Sequence, residues 1–294
     1  MGRLIPTGQL APLIWYAPRQ ATDFSQALYL VDLDRRLAAW LFTASFGVEY
    51  PSLAPDQERI AYNRFENGWR LHILDWFTEE DQALEDGFLN GSFPAWSPDG
   101  TRLVQAVRYG GMQIIDPDDS TFRQLTDDSL FDYTPAWSPD GRWIAFGVNQ
   151  NLYAVASDCQ TDCRQQAVQI TAQSGGQAYP AWSPDGKFVA FLSSLSAQPA
   201  IFELYLIDTD CLEEGQDACA RQNALRIELG YPGLQIILNQ IFWSADGRYL
   251  IFQGTTPIEI GFYRIPAACY NRAQGCRAEW IFDLRDLPGF WVGP

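Results

Sequence analysis

One phrase recurs along the chain and constrains its fold more than any other feature. It reads YPSLAPDQERIAY at Tyr50–Tyr62, FPAWSPDGTRLVQ at Phe93–Gln105, TPAWSPDGRWIAF at Thr134–Phe146 and YPAWSPDGKFVAF at Tyr179–Phe191, with a weaker copy, IFWSADGRYLIF, at Ile241–Phe252. The aspartates Asp56, Asp99, Asp140, Asp185 and Asp246 are spaced by 43, 41, 45 and 61 residues. Ser-Pro-Asp-Gly has the composition of a tight turn: proline presets φ, Asp tolerates the next position and glycine takes the positive φ that follows. Short apolar or alternating runs flank it, so each copy reads as strand, turn, strand. The tryptophans Trp96, Trp137, Trp182 and Trp243 occupy one repeat position. A ring recurring once per unit is expected to pack between neighbouring units.

Each unit continues with a third aliphatic-aromatic strand, such as Trp69–Leu74 or Leu152–Val155, and a fourth, such as Thr121–Thr126. Four antiparallel strands per unit of about 40 residues describe a blade of a β-propeller. The sequence thus predicts an all-β, single-domain, six-bladed β-propeller of four-stranded antiparallel blades. The blades fall at 47–89, 90–131, 132–176, 177–238 and 239–285, with the first made of 11–46 plus a C-terminal strand at 286–294. Leu13–Thr43 supplies second, third and fourth strands, and Leu287-Pro288-Gly289-Phe290-Trp291 reads as a degenerate first strand. Pairing it beside Leu13–Ala17 closes the ring by joining the N- and C-terminal strands and leaves no open edge. Arg3–Thr7 is the competing source of that strand.

These motifs resemble the TolB-type propeller repeat, an aromatic followed by SPDG and an apolar strand, and the resemblance spans almost the whole chain. It implies the propeller fold and, by the usual role of such proteins, a protein partner in the cell envelope. TolB-like proteins usually carry an α/β domain ahead of the propeller, and none is expected in this chain. Peptidases with similar propellers carry a separate hydrolase domain, for which the repeats leave no room. Propellers host unrelated activities, so the fold does not set the function.

Composition narrows the choices. Twenty basic residues stand against 36 acidic ones, a net charge of −16, which argues against nucleic acid and against an anionic membrane surface. No apolar run approaches the roughly 20 residues of a membrane helix, so direct membrane insertion is not expected. Lys187 is the single lysine and His72 the single histidine. One histidine removes Ser-His-Asp and Cys-His nucleophile pairs and His-rich metal sites. His72 lies in a third-strand pattern and is expected as a hydrogen-bonded strand residue, not a base.

Six cysteines fall into local pairs, Cys159/Cys163, Cys211/Cys219 and Cys269/Cys276, each between the third and fourth strands of blades 4, 5 and 6. Disulfides across the hairpins are the expected reading, with metal binding and free thiols as alternatives. Persistent disulfides imply an extracytoplasmic location, although Met1–Gln20 does not read as a signal peptide.

No site motif for catalysis or a cofactor is present. Glu79-Glu80-Asp81 with Glu85 and Asp86 reads as a solvated acidic run in a loop or one-turn helix. Asp116, Asp118 and Asp119 offer alternate oxygens to calcium but suit an ordinary turn. The remaining feature is surface. The face carrying the fourth-to-first and second-to-third strand loops collects Arg64, Phe65, Trp69, Arg108, Tyr109, Asp132, Tyr133 and Tyr179, with Gln177 nearby. Arg and aromatic residues mixed in this way suit a protein or glycan contact. The insertion Asp208–Asn223, with Glu213, Glu214 and Asp217, is a second candidate contact on the opposite face. The expected function is a non-catalytic extracytoplasmic binding or scaffold module. The alternative is an enzyme with a channel-mouth site, such as a calcium-dependent lactonase, lyase or glycan hydrolase, which needs carboxylates converging on the axis. Small-ligand sensing in the channel is a third possibility.

Overall fold

A computed structural model describes residues 10–20, 23–33, 37–44, 47–84, 91–107, 110–127, 132–149, 151–171, 176–194, 202–214, 219, 224–271 and 276–283. β1 (Leu10–Gln20), β2 (Asp23–Asp32) and β3 (Leu37–Ala44) form a three-stranded antiparallel meander. Blade 2 contains β4 (Val48–Leu53), β5 (Arg59–Phe65), β6 (Trp69–Asp75) and β7 (Glu80–Ala83). Blade 3 contains β8 (Gly91–Trp96), β9 (Leu103–Val107), β10 (Gly111–Asp116) and β11 (Thr121–Gln124). Blade 4 contains β12 (Asp132–Trp137), β13 (Trp143–Val148), β14 (Asn151–Ala156) and β15 (Val168–Gln169). Blade 5 contains β16 (Gly176–Trp182), β17 (Phe188–Ser194), β18 (Glu203–Asp208) and β19 (Leu225–Ile227). Blade 6 contains β20 (Gln235–Trp243), β21 (Tyr249–Thr255), β22 (Ile260–Pro266) and β23 (Glu279–Asp283).

The propeller class is as expected, but the count differs. Six four-stranded blades are predicted, and the described residues form five, with a three-stranded sheet at the N-terminus. That sheet has no copy of the repeated phrase ahead of β1 to supply a first strand from its own segment. The two segments proposed for that strand, 286–294 and Arg3–Thr7, lie outside the described residues.

The repeat phrase accounts for how the blades join. Each first strand packs on the first strand of the next blade, so β4, β8, β12, β16 and β20 surround the axis. The indole N–H of Trp96, Trp137, Trp182 and Trp243 donates to the carbonyl of Ser52, Ala95, Ala136 and Ala181, in each case on the preceding first strand. The turns interlock as well. Gly100, Gly141, Gly186 and Gly247 have φ of 70–74°, and a side chain at any of them would meet the proline of the preceding blade's turn. Within each SPDG turn the serine hydroxyl bonds the aspartate, which also accepts a backbone N–H two residues on. These bonds, led by that from Ser97, hold Asp99 down to a pKa of about 2.

The blade interiors follow one register. Phe146 lies on Tyr153, Phe191 on Tyr205 and Phe252 on Tyr263, with centroids 5.5–6.1 Å apart at equivalent positions of the second and third strands. Burying a side chain of this size contributes about 2–3 kcal/mol. The same positions hold Tyr62 and His72 in blade 2, and Gln105 and Gln113 in blade 3.

All three expected disulfides form, with Cα separations of 5.7, 4.8 and 5.5 Å for Cys159–Cys163, Cys211–Cys219 and Cys269–Cys276. The first two excursions carry short helices, α1 (Cys163–Gln166) and α2 (Cys211–Glu214). Glu213 of α2 pairs with Arg142 of blade 4 at 2.9 Å, so part of the acidic insertion closes a seam within the ring. Asp217 of that insertion lies outside the described residues. No described helix is long and apolar enough to cross a membrane.

Candidate functional site at the mouth of the axis

Every first strand of blades 2–6 has a register shift partway along. In blades 2–5 the shift falls at an X-Pro pair, because proline has no N–H to give the ladder. The residue before it takes a left-handed conformation: φ is 53° at Tyr50, 53° at Phe93, 50° at Thr134 and 58° at Tyr179. For a β-branched or bulky residue that is a strained choice, of order 1–3 kcal/mol each. A bulge of this kind re-aims a side chain. Here it brings rings together on the axis. Tyr50 and Phe93 stack with centroids 3.9 Å apart, and Phe93 of blade 3 meets Tyr179 of blade 5 edge-on at 6.0 Å. A contact that skips a blade is possible only at the centre of the ring. The Thr134 hydroxyl accepts the Tyr179 backbone N–H at 3.1 Å and ties blades 4 and 5 beneath the rings. Tyr133 lies across Gly147, where no side chain could fit. Burial, with the neighbouring Tyr133, raises the pKa of Tyr179. Burial also raises that of Glu49, the carboxylate beside Tyr50.

Outward along blade 2, at the same level, lies a polar cluster. Tyr62 donates its hydroxyl proton to Asp81 at 2.8 Å. His72 Nδ1 lies 3.2 Å from the same carboxylate and Nε2 lies 3.6 Å from Glu66, while Arg64 reaches Asp81 at 3.3 Å. Burial alone would raise the pKa of Asp81, but the bonds from His72 and Tyr62 and the charge of Arg64 bring it below the ordinary carboxylate range. Burial and the Asp81 charge push Tyr62 far up. His72, 3% exposed, is the hydrogen-bonded strand residue expected of it. The acidic run beside it is exposed as expected at Glu79, Glu80 and Asp81, but it is not a loop or helix, and Glu85 and Asp86 lie outside the described residues. Glu80–Ala83 is the edge strand β7, and Asp81 is held by three donors. Phe65 and Trp69 cap the same hairpin in a T-shaped pair 5.6 Å apart, with Phe65 42% exposed.

The comparisons with known proteins agree with this geometry. Residues 12–153, just under half of the chain, match the model of the TolB beta propeller domain. The chain is a β-propeller whose N-terminal half is similar to the TolB type. No curated protein sequence matches it. Among solved structures, TolB from Acinetobacter baumannii superposes with a TM-score of 0.69 at 16% identity, over 95% of this chain and 67% of that one. A putative TolB from Agrobacterium tumefaciens gives 0.68 at 17% identity, over 88% and 89%. Oligogalacturonate lyase from Vibrio parahaemolyticus gives 0.54 at 14% identity, over 94% and 86%. Likeness at such identities concerns the fold.

Of the residues singled out from sequence, the propeller brings Arg64, Phe65 and Trp69 together at the rim of blade 2, and Tyr133 and Tyr179 at the axis. Asp132 begins β12. Arg108 and Tyr109 lie outside the described residues. Sequence reading passed over Tyr50, Phe93 and Thr134 as site residues, although each occupies the first position of the repeated phrase. Their signal was an aromatic or Thr before proline in an inner strand, a pattern that demands a bulge. Asp116 and Asp119 accept backbone N–H groups of their own turn, as the turn reading expects, and no group of metal-binding side chains occurs among the described residues.

Proposed function

We propose that this TolB-type propeller is a non-catalytic binding module that presents the face around the axis mouth to a protein partner as part of a larger assembly. The observation that carries this reading is the meeting of Tyr50, Phe93 and Tyr179 from three blades at the axis. A channel-mouth enzyme of the lactonase or lyase kind needs converging carboxylates, and the five first strands β4, β8, β12, β16 and β20 contain only Glu49 and Asp132. Aromatic and Arg side chains on a rigid frame are the groups that dominate protein contacts. The left-handed backbone at four neighbouring positions is consistent with pre-organisation for binding. The two TolB neighbours support the same reading, while the lyase neighbour keeps the enzyme as its rival. Three disulfides support an extracytoplasmic location.

The test is native mass spectrometry of the protein gently isolated from its own source. A stoichiometric complex with a second protein, lost on Phe65→Ala plus Trp69→Ala, is the expected result. A monomer that carries a stoichiometric divalent ion and cleaves a glycan or lactone would transfer the assignment to the enzyme.

A further inference from the structure

The seam between blades 2 and 3 buries amides at the level where blades 4 to 6 bury rings. On its blade 3 wall, the registers Gln105↔Gln113 and Gln113↔Gln124 set three glutamines in one row across β9, β10 and β11. Two residues along the same face, Leu103 and Ile115 share an apolar cluster with Ala61 and Leu71 of blade 2. Asn63 is paired with Leu71 in the register of β5 and β6, and cross-strand partners share a face, so Asn63 stands on the opposite wall of that seam. Polar side chains thus line both walls.

All three side chains nearest the join are shut away from solvent. Gln105 is fully buried, Asn63 is 1% exposed and Gln113 is 7% exposed. Five of their amide atoms have no hydrogen-bond partner among the described residues: Asn63 Nδ2 and Oδ1, Gln105 Nε2 and Oε1, and Gln113 Oε1. The sixth, Gln113 Nε2, donates to Gln124 Oε1 at 3.4 Å. Folded proteins satisfy nearly all such groups, with protein atoms or with ordered water, because an unbonded buried amide is strongly disfavoured. Five together in one seam call for a common partner.

The chemistry of the five atoms selects that partner. Two are N–H donors and three are carbonyl acceptors. An anion would answer only the donors, and a cation only the acceptors. Water is neutral, donates and accepts, and is small enough for a close-packed seam. A buried water typically makes three hydrogen bonds, so five atoms need about two of them. We propose that the seam between blades 2 and 3 is a water-binding site, in which about two buried waters, held by the amides of Asn63, Gln105 and Gln113, bridge the two blades. They do for this join what the Phe–Tyr pairs do for the later blades, through directed bonds in place of ring contact. The site is enclosed between two blades and does not depend on the function proposed for the axis mouth.

The test is oxygen-17 magnetic relaxation dispersion of the intact protein, which counts buried waters by their long residence. The comparison is Asn63→Leu plus Gln105→Met, which removes four of the five atoms at similar volume. The double variant is expected to lose the signal of about two long-lived waters. Diffraction from the unaltered protein gives a second reading that needs no variant. At a resolution of about 1.2 Å, an isolated density peak about 2.7–3.2 Å from an amide atom of Asn63 or Gln105 is expected. A dispersion amplitude equal in the parent and the folded variant would overturn the proposal, as would a map in which these amides bond protein groups and no water. Density too large for water, with a matching small molecule released on unfolding, would overturn water and assign the seam to a neutral ligand that carries both donors and acceptors.

Discussion

Blades 4 to 6 and blades 2 and 3 share a turn and a tryptophan but are held together differently. In blades 4 to 6 the middle of the second and third strands is a Phe–Tyr pair, and a disulfide staples the outer hairpin. Blade 2 places Tyr62, His72 and Asp81 at that position, and blade 3 places Gln105, Gln113 and Gln124. Gln105 is fully buried, and neither amide atom has a hydrogen-bond partner; Asn63, facing the same seam, is in the same condition. One half of the ring rests on paired aromatic rings and covalent links, and the other places polar side chains in its interior. The repeat therefore fixes how neighbouring blades meet and leaves each interior free to vary.

The largest effect expected from this contrast is at the aromatic pair. Phe191→Ala should destabilise by about 3–5 kcal/mol through lost burial and the cavity left behind. Gln105→Met should be neutral or stabilise by about 1 kcal/mol, because it removes two unpaired buried polar groups at similar volume. Urea midpoints at a constant m-value measure both. A Gln105→Met protein less stable than Phe191→Ala would dissolve the distinction between the two halves.

The disulfides come next. Their loops are short, with sequence separations of 4, 8 and 7, so each should contribute about 2–3 kcal/mol in the chain-entropy model. Alkylation under denaturing, non-reducing conditions should modify none of the six cysteines. After reduction, hydrogen exchange should quicken in β14–β15, β18–β19 and β22–β23 and remain slow in blades 2 and 3. Equal acceleration around the whole ring would mean that the staples hold the closure and not their own hairpins.

How much of this was legible beforehand follows from where the repeat speaks. Period, strand order, the inter-blade tryptophans and the cysteine pairs are all local patterns in sequence, and each appears in the structure as read. The axis was not read, because Tyr50, Phe93 and Tyr179 meet only when three blades are folded. The partners of Asp81 were not read for the same reason. The acidic run is solvated as its composition suggests, but Tyr62 and His72, 19 and 9 residues away, bind Asp81 only in the folded blade.

The polar interior of blade 2 makes stability depend on pH in a way that the Phe–Tyr blades cannot. The pKa of Asp81 is lower in the folded state than in the unfolded chain. Its contribution is therefore complete above the ordinary carboxylate value of about 4 and is lost as pH falls through the lower, folded value. Asp81→Asn should lower stability at pH 7 by about 1–3 kcal/mol and flatten the decline between about pH 5 and pH 2. Burial, reinforced by Asp81, raises the pKa of Tyr62, so its contribution is complete below about pH 10 and lost as pH rises further. A variant whose acid decline matches that of the parent would remove Asp81 from the account.

The smallest effect separates two arginines that both bridge blades. Arg59 lies on Trp96, donates to the Gly100 carbonyl and pairs with Asp56 at 2.7 Å, so its charge, ring contact and hydrogen bonds act together at one seam. Arg142 reaches Glu213 across the next-but-one seam, but both side chains are 61% exposed. An exposed pair of this kind contributes about 0–1 kcal/mol, since solvent screens it and ordering two long side chains opposes it. Arg59→Ala should thus destabilise by about 1–2 kcal/mol, and most of that loss should persist at high salt, because a part-buried donor to a carbonyl and a ring contact are lost together. Arg142→Ala should lower stability by less than about 0.5 kcal/mol, and that loss should vanish at high salt. Equal effects from the two would mean that the stacked guanidinium adds nothing beyond its charge.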